Sequence, residues 1–220
     1  MNDDFVFLDE FAPGIRWDAK YATWDNFTGK PVDGYLANRI VGTRALCAAL
    51  ERAQEKAATL GFGLLVWDGY RPQRAVDCFL RWSRQPEDGR TKPRHYPRLD
   101  RAEMVEKGYV AARSGHSRGG TVDLTLYDSA TGELAPMGGD HDFMDPVSHH
   151  GAPGITQVEA TNRRHLRSIM EDCGFRAYDY EWWHYTLVDE PYPDSYFDFP
   201  ITGSTPLDCR CGAARRVAAR

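Results

Sequence analysis

The sequence lacks the features that mark membrane, secreted and nucleic-acid-binding proteins. No run approaches the roughly 20 apolar residues of a membrane helix, and the opening MNDDFVFLDEF has neither the basic nor the long apolar segment of a secretory signal. Acidic residues outnumber basic ones by 32 to 27, so no basic excess favours nucleic acid or an anionic membrane. We therefore expect a cytoplasmic protein that binds a small molecule, with no nucleic-acid or membrane partner.

Cysteine is scarce, and its spacing shows no pairing. The five cysteines are an odd number without a CxxC pair, so a disulfide framework is not expected. Cys47, Cys78 and Cys173 fall within predicted helices and are interpreted as small buried hydrophobic residues. Cys209 and Cys211 stand near the C-terminus, where two thiols without further ligands make a poor metal site.

Repeats and low-complexity segments are also absent, and 220 residues suit a single hydrophobic core. Apolar periodicity and capping signals predict helices over residues 39–60, 72–82, from Asp100 to before Gly115, and about 157–173. Short apolar or alternating runs predict strands at 63–67, 121–127, 175–178 and 184–188. We expect an α+β fold, with a single domain over 1–200, a mainly antiparallel central sheet flanked by helices, and a mobile tail over 201–220.

The segment RSGHSRGGTVDLTL, residues 113–126, carries a histidine and an aspartate on either side of two glycines. Its alternating second half predicts a strand whose polar face begins at Asp123 and borders a cleft. His116 stands seven positions earlier, an odd separation that would place it on the opposite face of a straight strand. Gly119 and Gly120 are therefore expected to reverse the chain and bring His116 to Asp123.

The segment EWWHYTLV, residues 181–188, adds Glu181 and His184 three positions apart. A tight turn holding Glu181, followed by a strand that begins at His184, would let both side chains reach one site. Two histidines and a carboxylate are the usual ligands of a catalytic zinc, and a further carboxylate that does not ligate the metal can act as general base. His116, Asp123 and His184 are thus candidate ligands, and Glu181 is the candidate base. Two alternatives to a metal site remain. The first segment can be an ordinary hydrogen-bonded glycine loop, and the histidine of the second can be a core residue.

These two segments resemble the SxHxxGxxxD and ExxH elements of the zinc D-alanyl-D-alanine peptidases. Further stretches resemble the vancomycin-resistance D-alanyl-D-alanine dipeptidases within that family, and the resemblance runs from about residue 3 to 200. These stretches are KYATWDNFTGKPVDGY, WDGYRPQRAV, GELAPMG, DFMD and DEPYPDSYFDFP.

The resemblance implies one Zn²⁺ per chain on His116, Asp123 and His184, with the zinc site at the sheet. It implies that Glu181 is the general base and then the proton donor to the leaving amine. It also implies that Arg71 stabilises the oxyanion, since tetrahedral negative charge requires a cation.

The resemblance further implies a dipeptide pocket. For Arg71, the residues alone favour a different role from oxyanion stabilisation, namely a structural ion pair with Asp68. Gly115 stands where the family more usually has serine, and Ser117 is expected to compensate in part. The family's pocket positions are matched by Tyr21, Asp68, Ser114 and Asp142.

The implied reaction is hydrolysis of free D-alanyl-D-alanine in the cytoplasm, which would withdraw the terminus that glycopeptides bind. A D,D-carboxypeptidase acting on peptidoglycan stems is one alternative, disfavoured by the expected location. A zinc-containing binding module without turnover is another, disfavoured because Glu181 and Arg71 are both present. The sequence leaves open a homo-oligomer, tolerance for D-Ala-D-Ser or D-Ala-D-lactate, and whether the role is resistance, D-alanine recycling or self-protection of an antibiotic producer.

Overall fold

The computed structural model describes residues 2–203. Within that range the strands are β1 (Phe5–Phe7), β2 (Arg16–Trp17), β3 (Val41–Thr43), β4 (Phe62–Asp68), β5 (Thr121–Asp128), β6 (Phe175–Tyr178) and β7 (Glu181–Leu187). The α-helices are α1 (Leu8–Phe11), α2 (Arg44–Thr59), α3 (Gln73–Ser83), α4 (Lys92–His95), α5 (Glu103–Glu106) and α6 (Gln157–Asp172). Single 3₁₀ turns cover Lys20–Ala22, Gly115–Arg118 and Pro146–Ser148.

Five strands form the central sheet in the order β2-β4-β5-β7-β6. β2 runs parallel to β4, and the other neighbours are antiparallel. β1 and β3 form a separate antiparallel ribbon. The prediction of an α+β fold with a mainly antiparallel sheet is confirmed.

Two apolar clusters support this sheet. The larger one joins sheet residues such as Leu64 and Leu124 to Leu50 of α2 and Ile169 of α6, so the two long helices cover one face. The second cluster is largely aromatic and joins α3 to the N-terminal loops and to the segment before Ile201. A cleft, described below, lies where this second cluster meets β5 and β7.

The strand prediction for 121–127 is right in extent and wrong about exposure. Its polar row does not face one cleft along its whole length, because Thr125 lines a separate cavity beside Trp67 and the Arg16 guanidinium covers the Tyr127 ring. The chain after β5 turns back and pairs along the edge of that strand, where Leu134 bridges to Tyr127. Asp123 alone of this row borders the cleft beside β7.

The first predicted helix begins later than its periodicity indicated. Val41–Thr43 pair with β1, and α2 starts at Arg44, where the Thr43 hydroxyl accepts a hydrogen bond from the Leu46 amide at 3.2 Å. Gly61 follows the helix with φ +80°, as a C-terminal glycine should. Pro72 is the residue before α3 rather than its first residue.

The helix predicted from Asp100 to Gly115 is wrong, because only the single turn of α5 forms. The Asp100 amide donates to Glu103 at 2.8 Å, which is half of a capping box. Gly108 then adopts φ +81°, and the amides of Tyr109 and Val110 both donate to the Met104 carbonyl, which ends the helix. The residues that follow reach the cleft as a loop. By contrast, α6 has the complete capping box between Thr156 and Glu159.

Ile201, which the sequence placed in the tail, is buried and hydrogen-bonds through its backbone to Gly34 and Leu36. Cys209 and Cys211 lie outside the described residues. Cys47, Cys78 and Cys173 are buried free thiols, as predicted. No helix between residues 2 and 203 combines the length and the apolar character needed to cross a membrane.

Candidate active site

Strand pairing and a 3₁₀ turn together bring three candidate metal ligands to one place. Asp123 of β5 lies directly opposite His184 of β7 in the antiparallel ladder. His116 arrives from the 3₁₀ turn before β5, and this turn ends at Gly119, which has φ +80°. Gly119 therefore supplies the predicted reversal. Gly120 has no positive φ; a Cβ there would lie 2.9 Å from Cγ of Glu190, so its small size serves packing.

The donor atoms have the spacing of a metal site. His116 Nε2 lies 3.3 Å from Asp123 Oδ2 and 3.3 Å from His184 Nδ1, and His184 Nδ1 lies 3.0 Å from Asp123 Oδ1. Ligands about 2.0–2.1 Å from a tetrahedral zinc would be about 3.3 Å apart. The three residues form the one such group found in residues 2–203, so they fit a zinc ion.

Two further observations support that fit. His116 Nδ1 lies 2.7 Å from the Gly69 carbonyl oxygen. This contact assigns the proton to Nδ1 and leaves the Nε2 lone pair directed at the other ligands. Asp123 Oδ1 is buried and accepts no backbone hydrogen bond from the described residues, and the His184 Nδ1 that lies 3.0 Å from it is itself a candidate ligand. A cation between the three side chains would satisfy it.

Glu181 lies beside these ligands, although the predicted turn-then-strand arrangement is wrong. β7 already begins at Glu181, and His184 lies within the strand. Ala177 and Tyr178, which are adjacent on β6, pair with Tyr185 and Glu181 of β7, which are four positions apart. β7 therefore has extra residues between these two pairs. This irregularity lets Glu181 Oε2 approach within 3.5 Å of His184 Nδ1 despite the odd spacing.

The environment of Glu181 suits proton transfer. Burial, reinforced by the carboxylates of Asp123 and Asp142, raises the pKa of Glu181 to about 7, and His184 opposes this shift. A carboxyl group that titrates near neutral pH can both take and return a proton under physiological conditions. Its position beside the candidate ligands and its raised pKa therefore fit an acid–base role.

Arg71 forms the ion pair with Asp68 that the residues alone favoured, and it also faces the cleft. Its Nε donates to Asp68 Oδ2 at 2.8 Å. Asp68 is fully buried and is fixed in turn by the Tyr35 hydroxyl, which donates to Oδ1 at 2.6 Å. Arg71 Nη2 reaches Asp123 Oδ2 at 3.4 Å. The ion pair thus holds the guanidinium against the candidate metal ligands.

A cavity of about 300 Å³ opens beside these groups. Tyr21, Ser114 and Asp142 line it, and the Tyr21 hydroxyl donates to Asp142 Oδ2 at 2.8 Å. Asp68 and Ser117 do not line it. Asp68 lies behind Arg71, and Ser117 is fully buried with a hydroxyl that bonds to none of the residues in 2–203.

Gly115 stands where the family more usually has serine, and the structure leaves little space there for a side chain. A Cβ on Gly115 would lie 2.7 Å from Thr121 Oγ1, so a serine there would require Thr121 to move. Ser114, which precedes it, uses its hydroxyl oxygen to accept from the His116 amide at 3.3 Å. Ser114 therefore caps the turn that presents His116.

Sequence reasoning missed His141. This buried ring stacks near Trp67, with ring centroids 4.9 Å apart, and its Nε2 lies 3.4 Å from Asp123 Oδ2. Its Nδ1 lies 3.6 Å from Asp142 Oδ2. The available signal was its position next to Asp142 in the sequence. His141 links the carboxylate of the candidate metal site to the carboxylate of the cavity.

A two-histidine, one-aspartate ligand set with an adjacent glutamate and arginine defines the class of a metal-dependent hydrolase. Residues 1–202 match the M15 peptidase family model described as D-ala-D-ala dipeptidase, and the chain belongs to that family. The chain is thus a hydrolytic enzyme, and the resemblance of its motifs is confirmed.

Similar curated proteins cover nearly the whole chain. It is 77% identical over 201 residues to the D-alanyl-D-alanine dipeptidase of Streptomyces coelicolor, covering 91% of this chain and 100% of that one. It is 64% identical over 202 residues to the dipeptidase of that name in Enterococcus faecalis, covering 92% and 100%. A more distant relative with the same name, from Escherichia coli, is 32% identical over 189 residues, covering 85% and 87%.

Proposed function

We propose that this chain is a zinc-dependent dipeptidase that hydrolyses free D-alanyl-D-alanine to two D-alanine molecules. The observation that carries the proposal is that His116, Asp123 and His184 meet at the side of a cavity that Glu181 and Arg71 also line. The names of the similar proteins supply the identity of the dipeptide.

A zinc ion held by His116, Asp123 and His184 would polarise the scissile carbonyl and lower the pKa of a water molecule. Glu181 takes a proton from the attacking water and later returns it to the nitrogen of the departing D-alanine. Arg71, held by Asp68, provides positive charge where the oxyanion develops. The products are one D-alanine from each side of the cleaved amide.

Asp142 accounts for a preference for the free dipeptide. Tyr21 occupies one of its oxygens, so the carboxylate is oriented, and Asp142 lines the cavity. A free dipeptide has an ammonium group close to its scissile bond, which a carboxylate binds through charge-assisted hydrogen bonds. An acylated peptidoglycan stem has a neutral amide at that position. This difference favours the dipeptidase over a D,D-carboxypeptidase.

The placement of Glu181 and Arg71 supports an enzyme over a binding module. In the cell, we propose that the enzyme acts on the cytoplasmic pool of D-alanyl-D-alanine and contributes to glycopeptide resistance or to D-alanine recycling. Expression in a glycopeptide-sensitive bacterium tests the first role: we expect a smaller dipeptide pool and higher vancomycin tolerance only when the catalytic residues are intact.

The biochemical test combines metal analysis with a D-alanine release assay before and after chelation. We expect one zinc per chain, activity that disappears with the metal, and a higher kcat/KM for D-Ala-D-Ala than for N-acetyl-D-Ala-D-Ala. Activity that survives complete metal removal would contradict the zinc mechanism. Preference for the acetylated substrate would favour the carboxypeptidase.

A further inference from the structure

The charges that line the cavity leave one cation without a carboxylate partner. Among the described lining residues, Asp123, Asp142 and Glu181 are acidic, and Arg71 and Arg113 are basic. Arg71 is already paired with Asp68 and approaches Asp123. Arg113 forms no ion pair or side-chain hydrogen bond with any residue of 2–203. Its guanidinium is therefore available to a ligand.

The C-terminal segment holds Arg113 at the edge of the cavity. Its Cζ lies 5.0 Å from the centroid of the Tyr196 ring, within the range of a cation–π contact. Glu190 is engaged by Arg118 instead, through two hydrogen bonds of 2.6 and 2.7 Å. Arg118 Nη1 also donates to the Tyr196 hydroxyl at 3.4 Å. The aromatic contact can thus orient Arg113 without neutralising its charge.

The substrate geometry shows what such a cation would bind. When the ammonium lies at Asp142 and the leaving nitrogen lies at Glu181, the dipeptide's carboxylate carbon lies only about 2.5 Å beyond that nitrogen. This carboxylate enters the cavity with a full negative charge, and burying it unpaired would be costly. Arg71 serves the scissile carbonyl. Arg113 is the remaining lining cation, and it adjoins Ser114 in the chain.

We propose that Arg113 binds the C-terminal carboxylate of the dipeptide. Asp142 and Arg113 then bind the two charged ends, so that the cavity selects a chain of two residues with both ends free. This inference rests on the proposed function and assigns a specificity residue to it. Extending the substrate at its C-terminus replaces the carboxylate with a neutral amide and removes the contact.

The test pairs a change in the protein with a change in the substrate. Arg113→Gln and wild type are assayed on D-Ala-D-Ala and on D-Ala-D-alaninamide, which lacks the terminal charge. We expect the variant to lose about tenfold in kcat/KM on the free acid, through KM, because one charge-assisted bond is lost. On the amide, the two proteins should differ by less than about twofold. Arg113→Lys should recover part of the loss on the acid.

Arg176→Gln is the matched control, since Arg176 is exposed on β6 and does not line the cavity. It should leave both substrates unchanged, while equal zinc content and melting temperature show that the variants remain folded. If wild type cleaves D-Ala-D-Ala and Arg113→Gln changes neither substrate, or both equally, the role of Arg113 is overturned and the proposed function stands. If wild type does not cleave the dipeptide, the proposed function fails, and this role fails with it.

Tyr196 provides a separate check on how Arg113 is oriented. Tyr196→Phe retains the ring and loses only the contact of its hydroxyl with Arg118, whereas Tyr196→Leu removes the aromatic face. We expect Leu, and not Phe, to raise KM for the free acid by about two- to threefold, with no change for the amide. Equal effects of the two substitutions would show that the ring does not orient Arg113.

Discussion

The two walls of the cleft are built by different means. The strand wall consists of His116, Asp123, Glu181 and His184, and pairing of β5 with β7 fixes its central pair of ligands. The loop wall consists of Tyr21 and the loop over residues 137–150, in which Asp142 and Met144 line the cavity, and side chains hold this loop. Arg163 of α6 donates to the carbonyls of Met137, Val147 and His149, at 2.6, 2.9 and 3.0 Å.

This difference matches what each wall has to do. Metal and proton chemistry require positions accurate to a fraction of an ångström, which a paired sheet supplies. Binding the end of a substrate tolerates more adjustment, and the loop wall carries Asp142 at φ +56°, a backbone state that aspartate tolerates better than most residues. We therefore expect changes in the strand wall to lower kcat and changes in the loop wall to raise KM.

The largest expected effect comes from Glu181→Gln in the strand wall. This variant keeps the shape of the side chain and cannot take a proton, so kcat should fall at least about 100-fold while the zinc content stays unchanged. The measurements are steady-state kinetics and metal analysis. Glu55→Gln, an exposed change on α2, is the control. A Glu181→Gln enzyme whose kcat stays within about tenfold of wild type would refute the assignment.

The support of the loop wall is tested by Arg163→Met. Arg163 is buried, and its loss leaves three carbonyl groups without their donor, so we expect the free energy of unfolding to fall by about 3 kcal/mol, at roughly 1 kcal/mol for each bond. Urea unfolding measures this change. Arg164→Met alters the exposed neighbour on the same helix and should have little effect. Equal destabilisation by the two substitutions would show that Arg163 does not hold the loop.

The two walls also differ in how far the sequence could predict them. The residues of the strand wall could be named from two local motifs, but neither motif encodes the pairing of β5 with β7 or the irregularity at Glu181 that bring them together. His141 and the support from Arg163 depend on contacts between residues distant in the chain, which no local pattern encodes. The failed helix after Asp100 has a local origin instead. Its capping signal was present, but Gly108 adopts φ +81° and turns the chain toward the cleft.

Asp142→Asn tests the binding role of the loop wall directly. The amide keeps the shape and the contact with Tyr21, but it lacks the charge that would hold the substrate's ammonium. We expect KM for D-Ala-D-Ala to rise about tenfold, with kcat within about threefold of wild type. The difference between D-Ala-D-Ala and its N-acetyl derivative should shrink in the same variant. A fall confined to kcat would assign Asp142 to the chemistry and remove the distinction between the walls.

The smallest expected effect is a sensitivity to acid where the loop wall meets α6. Burial, together with the positive charges of Arg167 and Arg163, lowers the pKa of His150 to about 4, while Asp179 and Glu171 oppose the shift. In the unfolded chain a histidine titrates near 6.5, so the unfolded state binds more protons between these two values. The contribution of His150 is therefore fully present above about pH 6.5 and is lost as the pH falls toward 4.

His150→Gln removes this titration and leaves all others in place. We expect the free energy of unfolding to fall less steeply between pH 7 and 5 in the variant than in wild type, measured by urea unfolding of metal-free protein. The comparison is made between the two slopes because other groups, including those of the metal site, titrate in both proteins alike. Identical slopes would mean that His150 is solvated in the folded chain. Protonation of His150 would then not contribute to the loss of stability in acid.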